Sequence, residues 1–299
     1  MSDAAERLLR ERIQAREDRD YARADALRDE LRALGWEVQD SASGSALRPA
    51  LPDAPASTGY ADPGDLASLL DQPATLDASL VVVAEEHGED LERYLRALAA
   101  SPPSAGTELI VVSNAPSYDV AGMIPPDATL LATSARLGWA DAVNLGLRRS
   151  RGEVTIVMDT SVEPVGDFVR PLLAAFDDPG VGLAGGWGLV TDNGRQFEEA
   201  PAGPVHAIEA YCLAIRREAL HAVGGFDPHF RFYRNADIDF GFAVRDAGWR
   251  AVAVELPLVR HEHRGWTALP EAERDRLSKR NFYRYLKRWG DRPDLLAIR

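Results

Sequence analysis

Two aspartates stand at positions where a carboxylate can do chemistry. Asp159 directly follows the apolar run at 153–158 (EVTIVM), where a buried strand would end and a turn begin. A carboxylate there can ligate Mg²⁺ or Mn²⁺, which prefer oxygen ligands and commonly bridge a protein carboxylate to substrate phosphates. Taken alone, however, such an aspartate more often caps a turn or a helix. Asp159 therefore indicates a metal site only if other ligands lie beside it.

Asp237 and Asp239 open a helix predicted over 236–247. A carboxylate beside an acceptor hydroxyl can act as a general base. An acidic first turn is also favoured by the helix dipole alone. We interpret Asp239 as an ordinary first-turn residue and keep both interpretations open for Asp237.

Two histidines and a tryptophan are further candidates. His261 and His263 alternate in a predicted extended segment, so both imidazoles can face one side and complete a metal site. A histidine at a strand end is usually half-buried without a further role, and we assign that interpretation to His263. Trp187, within GGWG, can stack on a sugar or a base, and core packing explains it equally well.

The elements that must position these residues alternate between strand and helix. Strands are predicted over 79–84, 108–113, 129–132 and 153–158, and helices over 89–99, 140–149 and 272–289. Continuous β-branched runs between amphipathic helices predict an α/β fold with a mostly parallel sheet covered on both faces. Ligands bind at the carboxyl ends of such strands. The site should therefore include Glu85, Glu86, Asn114 and Asp159.

Composition excludes several classes of protein. The 299 residues carry a formal charge of −13, which argues against a nucleic-acid or membrane surface spread over the whole molecule. The single cysteine, Cys212, excludes an internal disulfide and a thiolate metal cluster. The apolar runs are too short to span a bilayer, and the first residues lack an apolar signal core. We expect a cytoplasmic protein. Residues 260–299, with eleven Lys plus Arg against six acids, allow peripheral contact with the inner membrane face.

Three parts are predicted along the chain. Residues 1–48 form a helical hairpin with a β-flap, in which Asp20 caps the second helix and Gly35 ends it. A turn at Ser43-Gly44 joins the two strands of the flap. Residues 49–77 are a linker rich in proline and alanine, and residues 78–299 form the α/β domain.

From about residue 79 to 289 the chain resembles the family 2 glycosyltransferases, which have the Rossmann-like GT-A fold. The matching stretches occur in the expected order: LVVVAEE (80–86), LIVVSN (109–114), RLGWADAVNLGLRRSRGEVTIVMDTSVEP (136–164), YCLAIRREALHAVGGFDPHFRFYRNADIDFGFAVRDAGWR (211–250), VRHEHR (259–264) and RNFYRYLKRWG (280–290). Each stretch is weak by itself, and the ordered set is specific.

This resemblance implies transfer of a sugar from a nucleotide diphosphate donor to an acceptor hydroxyl, with inversion. Asp237 takes the position of the base, and Asp159 that of the first metal ligand. Ser161 and His261 take the other metal-side positions, with Mg²⁺ or Mn²⁺ as the cofactor. The donor-binding positions correspond to Ala84, Glu85, Glu86, Ser113, Asn114, Gly138, Asn144 and Asp159, with Trp187 as a further candidate. The acceptor would be a glycan or a lipid-linked molecule.

Three positions depart from the family pattern. Ser161 replaces the second acid of Asp-x-Asp, Ala236 replaces the glutamate before the base, and Ser113 replaces an aspartate. A serine is a weaker ligand for a hard cation, so Glu163 could compensate, or Lys279 and Arg280 could neutralise the diphosphate directly. The alternative is a catalytically silent GT-A-like binding protein.

Residues 1–48 carry a second resemblance, to the carboxyl-terminal tail of cysteinyl-tRNA synthetases. The positions that fit are Tyr21, Ala24, Asp25, Arg28, Asp29, Leu31, Gly35, Asp40, Gly44 and Arg48. The resemblance implies a module that docks tRNA or a protein partner. Nine arginines face eleven acids in this segment, which gives little nonspecific affinity for phosphate.

Overall fold

The computed structural model describes residues 3–18, 20–34, 36–41, 44–49 and 59–298. Contacts divide the chain into two compact units, Met1–Ser57 and Thr58–Arg299. Gly35, Ser43 and residues 50–58 of the predicted linker lie outside the described residues. Each unit is described by itself.

The first unit is a helical hairpin followed by a two-stranded flap. Its elements are α1 (Asp3–Glu17), α2 (Tyr21–Ala33), β1 (Trp36–Ser41) and β2 (Gly44–Pro49). The two strands pair antiparallel. Buried Leu8, Leu27 and Leu31 form the core between the helices, and the carboxylate of Asp20 accepts a hydrogen bond from the backbone of Arg23 at the start of α2. The predicted hairpin and flap are thus present.

The second unit is built on an eight-stranded, mostly parallel sheet. Its strands are β3 (Leu76–Ala84), β4 (Thr107–Ser113), β5 (Thr129–Ala132), β6 (Gly152–Met158), β8 (Val181–Gly185), β11 (Gly203–Val205), β13 (Cys212–Arg216) and β14 (Arg250–Ala253). Their order across the sheet is β11-β14-β8-β13-β6-β3-β4-β5. β11 and β13 run antiparallel to their neighbours, whereas the remaining pairs are parallel.

Two small sheets lie beside the main one. β7 (Val162–Pro164) pairs with β15 (Leu258–Arg260), and β9 (Gly188–Val190) lies between β10 (Glu198–Ala200) and β12 (Ala207–Ile208). The helices are α3 (Gly88–Ala100), α4 (Trp139–Arg149), α5 (Val169–Ala175), α6 (Arg217–Val223), α7 (Ala236–Asp246), α8 (Arg264–Thr267) and α9 (Glu271–Trp289). Among the described residues, no helix is long and apolar enough to cross a membrane.

Helices cover both faces of the main sheet, as the continuous apolar strands require. Leu91 of α3 and Leu172 of α5 pack on one face, and Leu220 of α6 and Phe240 of α7 pack on the other. Gly146 allows α4 to approach β3 closely, because a Cβ at this position would lie 2.3 Å from Val81 Cγ1.

Residues 59–75, which the sequence assigned to the linker, pack on the second unit. Tyr60 bridges to Thr133 beside β5, and a 3₁₀ helix follows at Pro63–Asp65. The Leu69 carbonyl accepts a hydrogen bond from the buried guanidinium of Arg217. Proline-rich composition suggested a linker here, but these backbone pairings hold the segment against the sheet domain.

Candidate active site

A cavity of about 730 Å³ opens at the carboxyl ends of β3 and β6. Val83 and Met158 form part of its floor, and both Asp159 and Asp237 line it. Both residues are hydrogen-bonded to the same short backbone segment, Asp159 through its backbone amide and Asp237 through its carboxylate. The Tyr211 carbonyl accepts a hydrogen bond from the Asp159 amide at 3.1 Å, and the Ala210 amide donates to Asp237 Oδ2 at 3.2 Å. The two aspartates singled out from the sequence therefore face one common space.

Asp159 follows the last residue of β6, and its carboxylate makes three contacts, two with Ser161 and one with His263. Its Oδ1 accepts hydrogen bonds from the Ser161 hydroxyl at 2.5 Å and the Ser161 amide at 2.8 Å. Its Oδ2 lies 3.3 Å from His263 Nε2. Burial raises the pKa of Asp159, but the hydrogen bonds and charge of His263 and the Ser161 bonds outweigh it and lower the pKa below its usual value. The carboxylate is thus kept ionised.

The structure brings His263, not His261, to Asp159. Because β15 ends at Arg260 and α8 begins at Arg264, the chain bends between the two histidines and the alternation expected of an extended strand fails. His261 Nε2 lies 2.6 Å from Glu163 Oε2, and neither residue lines the cavity. His263 lines it and stacks on Tyr233, with ring centroids 4.5 Å apart. The structure thus places His263, rather than the predicted metal-side residue His261, beside Asp159, and it places His261 and the predicted compensating ligand Glu163 beside each other outside the cavity lining.

The side chains at this end of the cavity fit a divalent cation that is shared with a diphosphate. Among the described residues, no group of three or more His, Cys, Asp or Glu side chains could hold a metal ion alone. Asp159 and His263 supply one carboxylate and one imidazole, and Ser161 supplies a hydroxyl. Mn²⁺ accepts imidazole and carboxylate ligands, and Mg²⁺ usually retains phosphate and water ligands. The remaining ligands would have to come from the substrate and from water.

Asp237 is the second residue of α7. The side-chain cation that acts on its carboxylate is Arg234, through charge alone. Asp237 Oδ1 accepts a hydrogen bond from the Ile238 amide at 2.9 Å. Burial raises its pKa, and the backbone amides and Arg234 offset this only in part. Asn281 of α9 fixes the preceding loop by donating to the carbonyls of Phe232 and Arg234.

Asp239, two residues after Asp237 in α7, has a different environment. It is buried and accepts hydrogen bonds from Trp289 Nε1 at 2.8 Å and Arg288 Nη1 at 2.9 Å. It does not line the cavity. Asp239 therefore joins α7 to α9 and plays a structural role.

Glu85 and Glu86 also line the cavity, directly after β3. The buried Asn114 donates to Glu85 Oε1 at 2.9 Å and accepts from the Leu137 amide at 2.8 Å. Arg136 lies within 3.5 Å of both glutamates. Asn114 thus positions Glu85 rather than facing the cavity itself.

Five other predicted donor positions lie outside the cavity lining: Ala84, Ser113, Gly138, Asn144 and Trp187. Ala84 and Ser113 are partners in the parallel register of β3 and β4. Asn144 holds the backbone of Phe226 through two hydrogen bonds, at 2.8 and 2.9 Å. Trp187 packs on Tyr211 and carries the Arg260 guanidinium over its ring. Lys279 and Arg280 do not reach the cavity either, whereas Arg136, Arg195, Arg234 and Arg264 line it.

Glu209 is a cavity residue that sequence reasoning missed. It precedes β13 as a single acid between apolar residues, and no motif or spacing marks it. Burial raises the pKa of Glu209 to about 7, and the negative charges of Asp237 and Glu199 contribute in the same direction. Only the folded chain brings it beside Asp237.

Residues 79–241 match the model of glycosyl transferase family 2, which covers more than half of the chain. The chain belongs to this family. Residues 1–47 match the cysteinyl-tRNA ligase anticodon binding domain.

Curated relatives divide in the same way. The chain is 26% identical over 231 residues to the N-acetylglucosaminyl-diphospho-decaprenol L-rhamnosyltransferase of Mycobacterium tuberculosis, covering 61% of this chain and 75% of that protein. It is 62% identical over 40 residues to the cysteine–tRNA ligase of Nitratidesulfovibrio vulgaris. That match spans 13% of this chain and only 8% of the ligase.

Solved structures show the GT-A fold. GalNAc-T7 with UDP, GalNAc and Mn²⁺ superposes with a TM-score of 0.56 at 15% identity, covering 73% of this chain and 49% of that one. The mannosyltransferase PcManGT from Pyrobaculum calidifontis, in complex with GDP-Man and Mn²⁺, gives 0.57 at 19% identity, covering 77% and 69%. The predicted family, the fold class and the identity of the amino-terminal module are thereby confirmed.

Proposed function

We propose that the second unit transfers a sugar, with inversion, from a nucleotide diphosphate donor to an acceptor hydroxyl. The observation that carries this proposal is the common cavity of Asp159 and Asp237. The Asp159 backbone amide and the Asp237 carboxylate are hydrogen-bonded to the adjacent residues Tyr211 and Ala210. One wall can hold the charge of a diphosphate while the other receives a proton. Two solved structures with this fold contain nucleotides and Mn²⁺, which supports the donor class.

The donor would occupy the end of the cavity beside β3 and β6. Glu85, Glu86 and Arg136 line the cavity and would surround the nucleoside, and Asn114 donates a hydrogen bond to Glu85. Asp159 and His263 would hold a divalent cation, with Ser161 supporting Asp159. When bound, this cation neutralises the negative charge that accumulates on the departing diphosphate.

Asp237 would act as the general base. The acceptor oxygen forms a bond to the anomeric carbon as the bond from that carbon to the diphosphate oxygen breaks, and the hydroxyl proton passes to Asp237. The pKa of Asp237 is raised by burial, which makes its carboxylate a stronger base. Attack from the face opposite the leaving group inverts the anomeric configuration.

The acceptor side of the cavity is partly apolar. The apolar side chains that line the cavity there are Leu189, Phe197, Ile238, Leu269 and Phe282. Such a wall suits a glycan acceptor that carries an apolar group, and a lipid-linked glycan is the acceptor class that we propose. The relative from Mycobacterium tuberculosis is named for transfer to a decaprenol-linked diphosphate sugar, which supports this choice.

A donor panel tests the proposal. UDP-, GDP- and dTDP-sugars are titrated into the full chain with MnCl₂ or MgCl₂, and release of nucleoside diphosphate is followed with and without glycoside acceptors. We expect at least one donor to bind and its sugar to appear on an acceptor. Absence of binding by every donor at millimolar concentration would refute the enzymatic function.

A second candidate function is favoured by Ser161, which removes a carboxylate from the metal site, and by the tRNA-ligase-like module at 1–47. In this case the GT-A unit binds nucleotide-sugars without turnover, and the module docks tRNA or a protein. Donor binding without release of nucleoside diphosphate would support it. A gel shift with tRNA at physiological salt separates the two partners, since docking to a protein predicts no shift.

A further inference from the structure

Glu209 belongs to the short backbone segment that is hydrogen-bonded to both candidate residues, to the backbone amide of Asp159 and to the carboxylate of Asp237. The Glu209 amide donates to the Trp187 carbonyl at 2.8 Å, and the next two residues, Ala210 and Tyr211, hold Asp237 and Asp159. The Glu209 side chain is only 15% exposed and lines the cavity. Glu209 is therefore placed at the junction between the two candidate carboxylates.

One oxygen of Glu209 is engaged and the other is available. Oε2 lies 3.3 Å from Arg260, whose stronger contact, at 2.8 Å, is with Glu199. Arg260 is itself held over the rings of Trp187 and Tyr211. Oε1 of Glu209 accepts no hydrogen bond from any residue that the structure describes. It can therefore bind a group that enters the cavity.

An acid pair thus exists in space although it is absent from the sequence. Ala236 leaves Asp237 without a neighbouring acid in the chain, and Glu209 supplies one from a separate loop. Charges facing Glu209 come from Asp237, Glu199, Arg260 and Arg234. Two carboxyl groups on one wall suit a ligand that presents two hydroxyl groups.

We propose that Glu209 binds a second hydroxyl of the acceptor, next to the hydroxyl that Asp237 deprotonates. This rests on the proposed glycosyl transfer and narrows the acceptor to a polyol, such as a sugar with two neighbouring free hydroxyls. Glu209 takes no part in the bond changes. It orients the acceptor, so its loss should act mainly on the KM for the acceptor.

Acceptor analogues and variants together test this role. The panel contains methyl glycosides, the monodeoxy analogues of each, and benzyl alcohol as a monohydric acceptor. Wild-type enzyme is compared with Glu209→Gln and Glu209→Ala, and with Glu198→Gln as a matched control on an exposed strand position outside the cavity. Affinity for UDP or GDP and the thermal midpoint verify that each variant is folded.

We expect one monodeoxy analogue to lose about 10–100-fold in kcat/KM with the wild type, the range for a hydrogen bond to a charged group. On the parent glycoside, the kcat/KM of each Glu209 variant should be lower than that of the wild type by the same factor. On the monodeoxy analogue, the kcat/KM of each variant should be almost equal to that of the wild type. Glu198→Gln should behave as the wild type does.

If the Glu209 variants lost the same factor in kcat/KM on the parent and on the deoxy acceptors, Glu209 would only support Arg260. This result would overturn the inference. The inference would also be overturned if the wild-type enzyme were insensitive to every deoxy substitution, or if it used benzyl alcohol as well as the glycosides. Both results are obtained with the wild type and do not depend on whether a variant folds. A wild type that turns over no donor with any acceptor refutes the proposed function, and this inference falls with it.

Discussion

The two walls of the cavity are assembled in different ways. On the donor wall, Glu85, Glu86 and Asp159 follow directly after β3 and β6, which are hydrogen-bonded neighbours in the sheet. On the proposed acceptor wall, Glu209 comes from the loop before β13 and Asp237 from the start of α7, which are far apart in the chain. Strand order alone brings the first group together, whereas the second depends on how the loops fold over the sheet.

The walls also differ in electrostatics. The pKa of Asp159 is lowered, because the bonds to His263 and Ser161 outweigh burial, whereas the pKa values of Asp237 and Glu209 are raised by burial. An ionised carboxylate suits cation binding, and a more basic one suits proton transfer. The opposite pKa shifts are therefore those that the proposed roles require, cation binding at Asp159 and proton transfer at Asp237.

Asp237→Asn should give the largest effect and tests this separation directly. Removing a general base typically costs about 10²–10⁴-fold in rate, so kcat should fall by that factor while donor affinity is unchanged. Single-turnover rates and titration of UDP or GDP measure the two quantities. Asp275→Asn, an exposed position on α9, is the matched control. If the Asp237→Asn variant bound the donor more weakly but retained turnover, Asp237 would be a donor-binding residue and not the base.

A histidine pair tests the donor end. His263→Gln should weaken Mn²⁺-dependent binding of UDP or GDP by about 10–100-fold, the range for disturbing a metal site, whereas His261→Gln should have little effect. Isothermal titration with and without MnCl₂ measures both variants. The reverse order of effects would restore His261 as the metal-side residue.

The raised pKa of Glu209 predicts a pH-dependent stability. Its pKa is 4.5 in the unfolded reference and about 7 in the folded protein, so the folded state binds the proton more tightly. Stability from this group is therefore present below pH 4.5 and is lost as the pH rises to about 7. Relative to the wild type, Glu209→Gln should gain about 1–3 kcal/mol in unfolding free energy between pH 5 and pH 8. Urea midpoints at these pH values measure it, and a constant difference would contradict the assigned environment.

Asp239→Asn should show the smallest effect and a purely structural one. It weakens the bonds to Trp289 and Arg288, so we expect a loss of about 1–2 kcal/mol in unfolding free energy. Asp239 does not line the cavity, so turnover per folded molecule should stay within a factor of about two, a change smaller than the loss of a transition-state contact would cause. A large loss of kcat in stable protein would place Asp239 in the chemistry.

Much of the donor wall follows from sequence patterns. The apolar runs ending at Ala84 and Met158 predict parallel strands, and the residues after such strands meet at one edge of the sheet. Glu85, Glu86 and Asp159 were identified in this way and do line the cavity. For Asp237, the position at the start of a helix left two interpretations open, and its assignment as the base came from the family resemblance; it also lines the cavity. By contrast, the side chain of the motif residue Asn144 hydrogen-bonds the Phe226 backbone, and the motif residue Ser113 does not line the cavity.

By itself, the sequence determined the sheet, its covering helices and the strand ends, because these depend on hydrophobic period and local hydrogen bonding. The placement of His263, rather than His261, beside Asp159 depends on a bend between β15 and α8, which no two-residue alternation encodes. The pairing of Glu209 with Asp237 was decided by the loop that crosses from β12 to β13. Contacts between distant segments form only when the packed sheet brings their ends together, so their partners cannot be read from spacing along the chain.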